Sequence, residues 1–429
     1  MTAFVSTRGG ASPAPFSVAI EQGLAPDGGL YVPQHWPGIT NEDIGADLSL
    51  PESAALVLAP FLEGDALSSE LPAITAEAFD FPAPIVELDA ERRLSVLELF
   101  HGPTAAFKDF GARFLASCLT RLRKGAARPL RILVATSGDT GGAVAAAFHN
   151  KPDVEVVVLF PKGLVSPAQE HQLTRWGGNV RSFAVRGTFD DCQRLVKAAF
   201  VDERLRARFD LSSANSINLG RLLPQMAYFG AASLALWRKH GARASFVVPS
   251  GNLGHATACA WARKIGLPIG EIALAHNINR TMPDLLETGE WRPRPSVATL
   301  ASAMDVGDPS NAERLRHLFP TMTELRRALT AHVVDDAAIR ARIKAGHARY
   351  GQMWCPHTAT AAEAFERHGA TSGPWVILAT AHAAKFREVV APLVGQDPPV
   401  PPSLAGLFSR VSAATEVNPT LEALAGALG

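Results

Sequence analysis

The sequence predicts an α/β protein in which parallel sheets are covered by helices, with an extra N-terminal domain. Three observations carry this. From Leu130 onward short apolar runs of strand length alternate with helix-length segments, glycine-rich turns follow several of the runs, and residues 1–95 break the pattern with a stretch rich in Pro, Gly and Ala. Such alternation implies parallel strands joined by helices that cover both faces of the sheet. With 429 residues, 47% hydrophobic and 19% charged, the chain can build two or three domains around a large core. The expected division is an N-terminal domain at 1–95, a small α/β domain at 96–215 and a large α/β domain at 216–429.

In chain order, turn signals stand at Arg8-Gly-Gly, Pro26-Asp-Gly-Gly29 and Pro51, and Glu52 to Leu62 reads as a helix. Ala83 to Leu88 and Leu94 to Glu98 read as short strands joined by a charged turn. A helix follows from Phe107, whose apolar positions include Phe110, Phe114, Leu115, Cys118, Leu119 and Leu122, with Asp109, Arg113, Ser117 and Arg121 on the other face. Further strands are predicted at Leu130 to Ala135, Val154 to Phe160, Val180 to Val185, Ser245 to Val248, Glu271 to Ala275 and Trp375 to Leu378. Helices are predicted at Ala143 to Phe148, Asp190 to Val201, Leu219 to Trp237 and His255 to Ile265. Pro398 to Pro402 forms a short stiff linker before the tail.

Lys108 is the unusual residue. Pro103 and Thr104 are helix-start signals, so this lysine falls in or next to a first turn, where the dipole disfavours a cation. One reading is a side chain that covers apolar surface and keeps its tip wet. The other is a lysine held neutral and able to form a Schiff base with a carbonyl cofactor. Its ordinary pKa is about 10.4, and a dipole worth about 0.3–1 kcal/mol cannot neutralise it at pH 7. Burial must supply the remainder.

Three turns could hold charged ligands. Val248-Pro-Ser-Gly-Asn-Leu-Gly254 follows a strand and opens a helix, so its N–H groups and the dipole suit an oxyanion. It is neither a Walker A loop nor a Gly-x-Gly-x-x-Gly turn, which argues against nucleotides. Ser137-Gly-Asp-Thr-Gly-Gly142 has the same placement and suits a carboxylate or phosphate, although Ser, Asp and Thr also cap helices. Ser213 to Arg221 brings polar amides and one arginine ahead of an apolar segment, which suits a phosphate or a capped helix start.

Charge narrows the classes. Lys plus Arg and Asp plus Glu number 41 each, so the basic footprint of a nucleic-acid-binding protein is missing. The start lacks a signal-peptide pattern, and the apolar stretch from Met226 to Trp237 is shorter than the roughly 20 residues a bilayer needs. Cys118, Cys192, Cys259 and Cys355 have no paired metal-ligand spacing and read as buried free thiols, so a cytoplasmic protein without a metal or membrane association is expected.

Several motifs, taken together, resemble those of the threonine synthase family. They are His101-Gly-Pro-Thr-Ala-Ala-Phe-Lys-Asp-Phe110, Ala135-Thr-Ser-Gly-Asp-Thr-Gly141, Asn215-Ser-Ile-Asn218 with Arg221, Ser250-Gly-Asn-Leu-Gly254 and Leu378-Ala-Thr-Ala-His-Ala-Ala-Lys-Phe386. Ser6-Thr-Arg-Gly9 and Gly28-Gly-Leu-Tyr-Val-Pro33 fit the same family, in its bacterial and fungal branch. The resemblance implies the tryptophan-synthase-β-like fold of fold type II pyridoxal 5′-phosphate enzymes. It also implies a carbon–oxygen lyase that turns O-phospho-L-homoserine and water into L-threonine and phosphate, working as a monomer or homodimer. By this resemblance Lys108 carries the cofactor as a Schiff base and is the catalytic base, and Gly251, Asn252, Leu253 and Gly254 wrap its phosphate. Thr380 faces the pyridine nitrogen and Asp139 lies near the ring's phenolic oxygen, while Ser137, Thr140, Lys162, Ser216, Asn218 and Arg221 bind substrate. Two departures stand out: His255 replaces an expected Asp or Asn, and Leu253 an expected Phe.

Overall fold

The computed structural model describes residues 2–40, 48–136, 138–369, 373–408 and 410–429. Its strands, in chain order, are β1 (Phe4–Ser6), β2 (Tyr31–Pro33), β3 (Ile85–Asp89), β4 (Leu94–Glu98), β5 (Leu130–Ala135), β6 (Val154–Pro161) and β7 (Val180–Val185). They continue with β8 (Asp210–Ser213), β9 (Ala244–Pro249), β10 (Ile269–His276), β11 (Thr330–Val333), β12 (Trp375–Ala379) and β13 (Thr415–Val417). A six-stranded sheet has the order β11-β10-β9-β12-β4-β3 and a five-stranded sheet the order β13-β7-β6-β5-β8, while β1 and β2 form a small antiparallel pair. The five-stranded sheet is wholly parallel. In the larger sheet only the β3–β4 pairing is antiparallel.

Every residue of β9 and β12 is buried, which is why these strands read as apolar runs, with Ser245 the one polar residue in them. The expected boundaries at 95 and 215 do not follow the sheets. Residue 95 lies inside β4, and β3 and β4 join the sheet of the later strands, while β13 near the end of the chain pairs with β7 of the middle sheet. The reason for the first difference is burial: Leu94, Ser95, Val96 and Leu97 are covered on both faces and sit beside β12.

The segment Leu219 to Trp237 is not one helix. It divides into Leu219–Leu222, a 3₁₀ turn at Leu223–Gln225 and Met226–His240, because Pro224 has no N–H to continue the helical ladder. Gly241 closes the last helix with a left-handed φ of 65°. N-terminal residues share the main core: Phe4 packs on Phe16 and Phe16 on Phe114 of the Lys108–Leu122 helix, with ring centroids 5.9 and 6.3 Å apart. No helix among the described residues is long and apolar enough to cross a membrane.

Candidate active site

The carboxyl ends of β4, β5, β9 and β12 open toward one cavity of about 270 Å³, the place where parallel α/β sheets bind ligands. Lys108, Asp139, Thr140, Ser216, Arg221, Gly251, Asn252, Leu253, Gly254 and Thr380 all line it.

Lys108 is the first residue of its helix, as its neighbours predict. The turn before it is held by Asp109, whose carboxylate accepts from the Thr104 N–H at 2.8 Å and from the Thr104 hydroxyl at 2.6 Å. The Phe107 N–H donates to the Thr380 carbonyl at 2.9 Å, which fastens this turn to the end of β12. Protein atoms packed around the Lys108 ammonium lower its pKa to about 8 from an ordinary 10.5. The Asp139 charge opposes this shift, and the Arg221 and Lys385 charges add to it. Burial is the main cause of the shift, and it leaves about a tenth of the amine neutral at pH 7 and about half at pH 8.

Asp139 opens the helix Asp139–Phe148 and is 5% exposed. Burial alone would raise its pKa, but the charges of Lys385 and Lys108 hold it well below the usual carboxylate range. Its Oδ1 lies 2.7 Å from Lys385 Nζ and accepts from Gln169 Nε2 at 3.2 Å. Lys385 is fully buried and also donates to the Thr104 carbonyl at 2.9 Å.

The loop after β9 has the shape of an anion cradle. A Cβ on Gly251 would sit 2.8 Å from the Ala303 carbonyl oxygen and 2.9 Å from Met304 Cα, so only glycine fits there. Leu253 adopts a left-handed φ of 60° immediately before the helix Gly254–Lys264. The N–H groups of 251–254 donate to no acceptor among the described residues, as expected of groups reserved for a ligand. Asn252 Nδ2 donates to Ser216 Oγ at 2.6 Å, so two of the three turns meet here. Arg221 is buried, which lowers its pKa to about 10 and leaves it a cation; its Nη1 donates to the Ala214 carbonyl and its Nε has no partner among the described residues.

Two of the expected residues stand elsewhere, and a third is not among the described ones. Lys162, just after β6, is exposed and paired with Glu416 of β13, and it does not line the cavity. Asn218 is fully buried as the cap of Leu219–Leu222: its Nδ2 donates to the Ile20 and Ser213 carbonyls, both at 2.8 Å, and its Oδ1 accepts from the Gly220 N–H. Ser137 lies outside the described residues.

Sequence reasoning missed Lys385 and His357. Lys385 stands in the Ala-Lys-Phe motif and the partner that gives it meaning is 246 positions away, while His357 follows Cys355-Pro in a helix with no distinguishing pattern. His357 lines the cavity, and its Nε2 accepts from the Ala303 N–H at 3.1 Å, which puts the ring proton on Nδ1. Burial lowers its pKa to about 4, so it is neutral. His255 is buried too, stacked on Phe107 with centroids 4.4 Å apart, and burial together with the Lys108 charge lowers its pKa to about 3.

A buried lysine of lowered pKa, a loop of unused N–H groups where Gly251 has no room for a Cβ, and a buried carboxylate in the same cavity fit pyridoxal phosphate. Fold and site together define a pyridoxal-phosphate-dependent enzyme of fold type II, and the family model described as pyridoxal-phosphate dependent enzyme matches residues 79–381. Residues 3–79 match the threonine synthase N terminus and residues 358–427 the threonine synthase C-terminal family. Threonine synthase of Haemophilus influenzae is 40% identical over 389 residues, covering 91% of this chain and 90% of its own. That of Escherichia coli is 40% identical over 393 residues with the same coverage. The crystal structure of PLP-bound threonine synthase from Brucella melitensis superposes with a TM-score of 0.92 at 35% identity, over 100% of this chain and 99% of that one. The chain belongs to the threonine synthase family.

Proposed function

We propose that this chain converts O-phospho-L-homoserine and water to L-threonine and phosphate, with Lys108 as the base. The observation that carries this reading is the Lys108 amine, lowered toward neutrality, in one cavity with the cradle at 251–254 and Arg221. Pyridoxal phosphate, when bound, supplies a ring that spreads negative charge developing at the substrate's Cα.

The chain's own residues do the rest. In its neutral form the Lys108 amine takes the proton from Cα, and it moves protons between Cα and Cγ. A proton leaves Cβ, the Cγ–O bond breaks and phosphate departs with the electron pair. Cγ is protonated, water adds its oxygen at Cβ, and a proton returns to Cα. Gly251, Asn252, Leu253 and Gly254 would hold the cofactor phosphate, and Thr380 would offer the ring nitrogen a neutral hydroxyl, which would leave that nitrogen unprotonated. Asp139, kept anionic by Lys385, would be the carboxylate available to the cofactor's phenolic oxygen. Thr140, Ser216 and Arg221 bind the substrate's carboxylate and phosphate; Arg221 suits a phosphate through its permanent charge. The protein acts in the cytoplasm as a monomer or homodimer, on a small molecule and without nucleic acid or membrane partners.

The test is incubation of the purified protein with phosphohomoserine, homoserine, serine and threonine in separate reactions, with phosphate and threonine assayed in each. Equimolar phosphate and threonine from phosphohomoserine alone are expected. Release of ammonia from serine or threonine as the main activity would replace this reading with a dehydratase.

A further inference from the structure

Arg314 is a fully buried guanidinium with no ion-pair partner among the described residues. Its Nε donates to the Tyr31 carbonyl at 3.0 Å, its Nη2 to the Ile217 carbonyl at 2.7 Å and its Nη1 to Asn311 Oδ1 at 2.7 Å. All three acceptors are neutral. The adjacent carboxylate, Glu313, turns outward and is taken by Arg8 at 3.1 Å and Thr7 at 2.5 Å. Burial lowers the pKa of Arg314 to about 9, with the Glu313 charge opposing the shift only in part, and leaves it charged at neutral pH. An uncompensated buried charge is costly, and its position shows which anion would compensate it.

Asn311 connects Arg314 to the cradle. While its Oδ1 accepts from Arg314, its Nδ2 donates to the Asn252 carbonyl at 3.0 Å and to the Ser216 carbonyl at 3.3 Å. The Asn252 carbonyl and the Leu253 N–H belong to one planar peptide unit, so a hydrogen bond received at the carbonyl turns the N–H the other way and polarises it. The loop residues 251–254 contain no lysine or arginine. Ser310 N–H to Asn252 Oδ1 at 2.6 Å adds a second hold on the same residue from the same segment.

We propose that Arg314 is a positioning residue that supplies counter-charge to the cofactor phosphate through Asn311 and the Asn252–Leu253 peptide. The inference rests on the reading that 251–254 hold that phosphate. Through the Tyr31 and Ile217 carbonyls, the same guanidinium joins the N-terminal region and the Ser216 segment to the cradle.

The experiment is equilibrium titration of apoprotein with pyridoxal 5′-phosphate and, separately, with unphosphorylated pyridoxal. Arg314→Gln removes the charge. Asn311→Asp gives the guanidinium a carboxylate and removes the Nδ2 donor to the Asn252 carbonyl, so it breaks the same link at its middle and decides the matter should Arg314→Gln not fold. Each is expected to weaken pyridoxal phosphate about tenfold, the order of effect of a buried charge at an effective dielectric near 20, while pyridoxal changes less than about twofold. Arg314→Lys should recover part of the loss. Equal weakening of both ligands, or of neither, overturns the proposal, since a merely structural role would not distinguish them. Gly251→Ala separates the two readings: loss of phosphate preference in that variant alone rejects the role of Arg314, and no loss in any variant rejects the cradle as well.

Discussion

Lys385 Nζ lies 2.7 Å from Asp139 Oδ1, and the two residues are 0% and 5% exposed. Asp139 follows β5 of one sheet and Lys385 follows β12 of the other, so this ion pair joins segments from the two sheets beside the cavity that Asp139 lines. The same ammonium donates to the Thr104 carbonyl, four residues before Lys108. Lys385 thus fixes the carboxylate and the turn that presents the reactive lysine.

Lys385→Met should be strongly destabilising, because it leaves Asp139 buried without its nearest cation; loss of one partner of a buried pair costs about 3–5 kcal/mol. It should also raise the pKa of Lys108, since Lys385 now opposes the charged form and Asp139 would be left to favour it. Denaturant unfolding reads the first effect. The pH midpoint of Lys108 acylation in the apoprotein reads the second, and a midpoint that stays near its wild-type value would refute the electrostatic role.

Lys108 itself makes the stability of the apoprotein depend on pH. Its folded pKa of about 8 lies below the ordinary 10.5, so between those values the unfolded chain holds a proton that the folded one has lost. Stability therefore rises with pH through that window, and the full penalty of burying the charge applies below pH 8. Lys108→Met should accordingly be more stable than wild-type apoprotein at pH 7, with the gap closing as pH rises from 8 toward 10.5. It should also have no measurable turnover. Parallel stability profiles for the two proteins would contradict the shift.

Gly111 separates Lys108 from Arg221. A Cβ at this position would lie 2.4 Å from the Arg221 carbonyl oxygen, a backbone atom that cannot swing aside. Gly111→Ala should push the Lys108–Leu122 helix away from Leu219–Leu222, at a cost of about 1–3 kcal/mol for overpacking. Arg221 moves with its backbone, so KM for phosphohomoserine should rise several-fold more than kcat falls. An unchanged KM would place Arg221 outside the substrate's reach.

Local signals made the start of the Lys108 helix and most parallel strands legible: a proline and a threonine before the lysine, and apolar runs for β5, β6, β9 and β12, broken only by Arg131, Glu155 and Ser245. Edge strands were less visible. β11 and β13 are short, partly exposed and polar, and they are defined by the strand they pair with. Pairings over long separations had no local signature, as with Lys385 and Asp139 or Arg314 and Tyr31. Asn218 illustrates the converse. It stands in a motif with functional neighbours, yet its amide satisfies carbonyls of two other segments, and a capping Asn and a ligand-binding Asn look alike in sequence.

His255 is where this chain departs from the expected Asp or Asn, and its stability consequences can be worked out. The ring is packed against Phe107, Tyr228 and Phe229, and neither nitrogen has a hydrogen-bond partner among the described residues. Two unpaired nitrogens at about 1–3 kcal/mol each outweigh three aromatic contacts at about 0.5–1.5 kcal/mol each by roughly 1 kcal/mol at the middle of both ranges. His255→Leu, similar in volume, should stabilise the apoprotein by about 1 kcal/mol or more at neutral pH. The acid side should change as well. The folded pKa is about 3 against an ordinary 6.5, so between these values the unfolded chain binds a proton that the folded one refuses, and stability falls as pH drops through the window. His276 and His357, also lowered by burial, contribute losses of the same sign and would remain in the variant. Urea unfolding of both proteins at pH 7.5 and pH 5 should therefore show a shallower acid loss in His255→Leu, and equal losses would mean that His255 finds a partner or takes up a proton in the folded state.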